Sequence, residues 1–91
     1  MPLWLQCDSM KLVEVEWLDH LAEDNWQSPT QIEAMEPATC KTVGWIVRET
    51  PLFIVVAASV AHEGNDAVEY GDLALILKNC IRRQKVIRRA Q

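Results

Sequence analysis

Read along the chain, the apolar positions change period several times, and each change marks an element. From Leu12 the pattern alternates: Val13, Val15 and Trp17 fall on one side, Glu14 and Glu16 on the other. A period of two predicts a half-buried strand. An acidic turn follows at Ala22 to Asn25. Ser28-Pro29-Thr30-Gln31 then has the form of a helix start, with Ser28 as cap, Pro29 in the first turn and Gln31 three residues on. The expected helix runs from about Pro29 to Met35 and ends at Glu36-Pro37, because the residue before proline avoids the helical region.

The next alternation, Thr39 to Glu49, puts Val43, Trp45 and Val47 on one face and Gly44 and Ile46 on the other. Glycine within a strand signals a bend, a bulge or a close backbone approach. After the polar break Arg48-Glu49-Thr50-Pro51 comes Leu52 to Val60, which is apolar on both faces. A strand of that kind needs cover on both sides. Ala61 to Gly71 reads as a polar loop with Gly64-Asn65-Asp66 as turn material.

The last third fits two periods. Leu73, Leu75 and Leu77 alternate, which suits a strand ending at a Lys78-Asn79-Cys80 turn and a further strand from Ile81 to Arg88. Leu73, Ile76, Leu77, Cys80 and Ile81 also suit a helix capped by Asp72. Closure decides for strands: three strands and one short helix cannot enclose this much apolar material, whereas five can. The acidic face of the first strand would then lie beside the last, with Glu14 and Glu16 facing Arg82 and Lys85. The expected fold is mainly β (α+β), a small five-stranded barrel of the SH3/Sm-like kind with one short helix between strands 1 and 2.

Size bears on this expectation. The 91 residues make at most one domain, read as residues 11–91 behind an extension at 1–10, with Met10 as an alternative start. Yet 49% of them are hydrophobic and four are tryptophan. A chain this short buries only about 60–65% of its unfolded surface, so the surplus favours self-association. The doubly apolar arm then belongs either to the barrel centre or to a subunit interface, for which Phe53 and Val55 are the candidates. Trp26, in a polar connector, is a third.

Charge is segregated. The net value is −4, but residues 1–36 carry eight acids and one base, whereas 73–91 carry six bases and no acid. The basic stretch reads as pairing with the acidic strand or as a contact for phosphate. With the aromatics it gives a candidate ligand site of Trp26, Tyr70, Arg82, Arg83 and Lys85.

Catalytic chemistry finds little support. His20, His62, Cys40 and Cys80 lack metal-ligand spacing, and His62-Glu63 is not followed by the second histidine of a zinc helix motif. Cys80 has cationic neighbours but reads as a small buried hydrophobe. The carboxylate pairs Asp19/Glu23 and Glu63/Asp66 read as solvated surface, and there is no glycine-rich phosphate cradle. Cys7, Cys40 and Cys80 are odd in number and far apart, which suits free thiols in a reducing compartment. The sequence shows neither a signal peptide nor an apolar run of spanning length. No enzyme, metal, cofactor or membrane contact is expected, and the location expected is cytoplasmic.

Between Val13 and about Arg88 the chain resembles a group of small bacteriophage and prophage proteins. The resemblance rests on Val15-Glu16-Trp17-Leu18-Asp19, on Trp26, on Thr42-Val43-Gly44-Trp45-Ile46-Val47 with Phe53-Ile54-Val55-Val56-Ala57, and on Ile76-Leu77-Lys78-Asn79-Cys80-Ile81. It implies a viral or mobile-element origin and a compact β-fold, and brings no catalytic residues. Where Sm proteins carry an RNA-contacting Asp-x-Asn loop this chain has Arg-Glu-Thr-Pro, so no RNA-binding residues are carried over. The leading expectation is a non-enzymatic, homo-oligomeric binding module that sequesters a host protein or a nucleotide-type, phosphorylated signal. An Sm-like binder of RNA or single strands is one alternative, and a structural oligomer or scaffold without a ligand is the other.

Overall fold

The computed structural model describes residues 11–63 and 67–89. They form β1 (Lys11–Asp19), a short helix α1 (Pro29–Glu33), β2 (Ala38–Glu49), β3 (Phe53–Glu63), β4 (Ala67–Leu77), one 3-10 turn (Lys78–Cys80) and β5 (Ile81–Arg89). The five strands make one sheet in the order β4-β3-β2-β1-β5, and every neighbouring pair is antiparallel. The expected extension at residues 1–10, including Cys7, and the turn Gly64-Asn65-Asp66 lie outside the described residues.

The strand reading of the last third holds, and the helical alternative falls. Alternation in β4 turns Ala74 and Ile76 toward the core, and Ile81 of β5 packs against the same cluster. The expected polar loop at 61–71 is corrected. β3 and β4 stay paired from Ser59↔Gly71 out to Glu63↔Ala67. A ribbon of this kind satisfies its backbone groups through its own ladder and needs no core to justify it. α1 carries the full capping box, with Ser28 Oγ accepting from the Gln31 amide and Gln31 Oε1 from the Ser28 amide, but it stops at Glu33 rather than Met35.

Two apolar clusters lie on opposite faces of the sheet. The larger is built on Val13, Val15, Ile54, Val56 and Ile76, with Trp17, Ile46, Ala74 and Ile81 packed against it. All five strands contribute, and the outermost two are joined by only three residues. The sheet therefore curls toward itself at that end. β4 and β5 are not neighbours in the ladder, so the sheet is open. The smaller cluster is Val47 and Ala57 with Trp45, Val55 and Tyr70. Residues 54 and 56 face the larger cluster while 55 and 57 face the smaller, where Ala57 is buried but Phe53 and Val55 stay half-exposed.

Two devices bend the sheet. A Cβ on Gly44 would stand 2.6 Å from the Ala57 carbonyl oxygen and 2.6 Å from Val56 Cγ1, so β2 passes β3 at a separation only glycine allows. Beyond it, a register shift between Ile46 and Arg48 inserts Val47 as an extra residue. In β4, Asp72 adopts a positive φ of 54° and accepts a 2.9 Å hydrogen bond from Ser59 Oγ. Trp17 of β1 is fixed by its indole Nε1, which donates to Thr42 Oγ1 at 2.9 Å.

Candidate functional site

Three surface features stand out: the cations of β5, the connector between β1 and β2, and the outer face of β3 and β4. On β5 the register sets Arg83 opposite Glu16 and Lys85 opposite Glu14. Arg83 lies 3.7 Å from the Glu16 carboxylate, while Glu14 pairs at 3.9 Å with Lys41 of β2. The expected cross-strand pairing is therefore present, but through Arg83 rather than Arg82. The cause is a register shift between Glu16 and Trp17, where Trp17 is already opposite Ile81. Such half-exposed pairs contribute about 0–1 kcal/mol each. Among the described residues, Arg82, Lys85, Arg88 and Arg89 have no carboxylate within 4.0 Å. β5 thus presents an excess of positive charge along one edge of the sheet, only partly offset by Glu14 and Glu16 of β1.

The connector behaves differently. Trp26 is fully exposed, and Leu21, Ile32 and Met35 are exposed as well. No residue of α1 is buried. Trp26, Ile32 and Met35 border a shallow open concavity of about 450 Å³, with Glu23 and Asp24 at its rim. Those two carboxylates repel phosphate, so this hollow suits an apolar or cationic group and not a nucleotide.

The five residues expected to form one ligand site are accordingly separated. Arg82, Arg83 and Lys85 share β5. Tyr70 is on β4 at the opposite edge of the sheet and packs in the smaller cluster. Trp26, fully exposed, touches none of them. The interface candidates Phe53 and Val55 lie on the outer face of β3, directly opposite Leu77 and Leu75. The guanidinium of Arg48 sits 5.0 Å from the centre of the Phe53 ring.

Sequence reasoning missed the outward direction of the β4 leucines. Leu73, Leu75 and Leu77 are 59, 58 and 46% exposed, while their neighbour Ile76 is buried. Alternation showed that the three share a face. Which face it is depends on the register with β3. Cys40 and Cys80 are free thiols. Among the described residues no three histidine, cysteine, aspartate or glutamate side chains come together as a metal site, and no helix is long and apolar enough to cross a membrane. Comparison with protein-family models, with curated proteins and with solved structures gives no match for this chain.

Proposed function

We propose that the chain is a non-enzymatic, self-associating binding module that holds an anionic ligand along β5. The observation that carries this is the row Arg82, Lys85, Arg88 and Arg89, none of which has a carboxylate within 4.0 Å among the described residues, on a strand without an acid of its own. Nine extended residues span about 30 Å, long enough for several successive phosphates. Arginine offers bidentate donors to each. Of the acids before residue 37, Glu14 and Glu16 face Lys85 and Arg83 across the ladder, while Glu23, Asp24, Glu33 and Glu36 belong to the β1–β2 connector, so the five cations of β5 outnumber the acids beside them. A scaffold of the SH3/Sm-like kind fits the strand order and the three-residue link between β4 and β5. In a phage-encoded protein such a module would sequester a phosphorylated host signal or another anionic host factor in the cytoplasm.

Thermal-shift measurements with cyclic and linear nucleotides test the first form of the proposal. Stabilisation is expected with the wild-type chain and is lost in the double variant Arg82→Ala/Lys85→Ala. A second form, an RNA or single-strand binder, is favoured by the linear layout of the same cations. It requires retention of labelled RNA that falls steeply with salt. Absence of both the shift and the retention at low salt overturns the assignment of β5.

A further inference from the structure

We infer that the 20–37 segment of one copy docks on the outer apolar face of β3 and β4 of a second copy, an inference that rests on the self-association in the preceding reading. Each surface lacks what the other supplies. α1 has five residues and buries none of them, and helices so short do not persist in water without cover. Its segment exposes Trp26, Ile32 and Met35. Across the molecule, Leu73, Leu75 and Leu77 form an exposed apolar ladder beside Phe53 and Val55. Large exposed apolar groups in contiguous rows mark interaction surfaces.

The charges complement each other. Glu23, Asp24, Glu33 and Glu36 fringe the segment, and there is no lysine or arginine from residue 12 to residue 40. The receiving face is fringed by Arg48, in the same cross-strand row as Val55 and Leu75. Its guanidinium already lies over the Phe53 ring, so its other side is a platform for an indole such as Trp26.

The occupant comes from another copy because the segment cannot cover its own sheet. Both its ends are fixed at the Asp19↔Ala38 pair. Arg48 lies ten residues farther along β2, about 33 Å of strand. Met35 is three residues from Ala38, so it stays within about 11 Å of that anchor. Two copies facing each other make the contact twice; a cyclic assembly makes it once per junction.

Light scattering and sedimentation of the full chain decide the matter. Wild type is expected to self-associate, more weakly as salt rises. Trp26→Ala and Leu75→Glu each weaken association about tenfold or more, as expected for an interface anchor. Both positions are exposed, so at concentrations low enough for wild type to be monomeric each variant should keep the wild-type urea midpoint. Mixing the two variants restores a 1:1 complex, because one retains the receiving face and the other the segment. A wild-type chain that stays monomeric overturns the inference, and so does a Trp26→Ala chain of unchanged mass, which would mean contact through sheet edges or faces alone. A mixture that remains monomeric, or a Leu75→Glu chain that keeps wild-type mass, also counts against it. Arg82→Ala/Lys85→Ala serves as the separating control: loss of anion binding with unchanged mass concerns β5 only.

Discussion

Three residues carry more of this fold than their size suggests. Gly44 sits where β2 passes β3, and a Cβ there meets the Ala57 backbone as well as the buried Val56 side chain. Gly44→Ala is therefore expected to cost about 1–3 kcal/mol, the usual range for overpacking, read as a lower urea midpoint. An unchanged midpoint would show that β2 and β3 are farther apart than described. Ile54 is completely buried in the larger cluster. Ile54→Ala should cost about 2–5 kcal/mol. Against a total of about 5–14 kcal/mol for a chain of this length, that leaves a marginal protein. Asp72 holds a left-handed backbone conformation and a hydrogen bond to Ser59. Asp72→Val loses both the bond and the short polar side chain that tolerates this region, so it should destabilise by about 1–3 kcal/mol, whereas Asp72→Asn should be close to neutral.

At the scale of elements, α1 and β5 show opposite relations to the core. The capping box makes α1 locally consistent, yet the helix has no buried face to add tertiary stability. Ser28→Ala is accordingly expected to leave the global unfolding midpoint almost unchanged, even though a cap deletion ordinarily costs about 1 kcal/mol of helix stability. A full loss in global stability would show that α1 is packed on the sheet. β5 enters the core only through Ile81 and otherwise holds its place by the ladder to β1. Its exposed cations are free to change without unfolding the chain. Charged edge strands also discourage stray strand pairing, which gives the row a structural benefit independent of any ligand.

For the whole molecule, the segregation of charge in the sequence is kept in part: Glu14 and Glu16 of β1 lie beside the cations of β5, while the other described acids before residue 37 lie at the end of β1 or beyond it. Acids fringe the connector, cations follow β5, and an apolar face lies across β3 and β4. The sheet is open, and its two outer strands belong to different surfaces. Binding of nucleotide or RNA should accordingly depend on Arg82, Lys85 and Arg88 and not on Tyr70, whose ring is already used in packing. A Tyr70→Phe chain should bind as wild type does in the thermal-shift measurement. A loss of ligand with Tyr70→Phe would return the aromatic to the site and move the ligand toward β4.

The sequence alone determined β1, β2, the first part of β3, the helix start and the place where β2 bends, because these follow from local period, capping chemistry and the missing side chain of Gly44; β4 and β5 followed only from the need to enclose the apolar material. It also marked β3 as apolar on both faces. Only tertiary structure decided which face of each strand turns inward: one residue of register moves every side chain to the other side. That is why the β4 leucines, legible as a row, turn outward, and why Arg83 rather than Arg82 reaches Glu16. The extension of the β3–β4 ribbon was hidden for a related reason, since its strand formers Val60, Val68 and Tyr70 are interspersed with alanine, histidine, glutamate and glycine and show no sustained alternation. The candidate ligand site was legible as a set of cations and aromatics. Its division among three surfaces was not, because closeness between the β1–β2 connector, β4 and β5 depends on strand order, which no short stretch of sequence encodes.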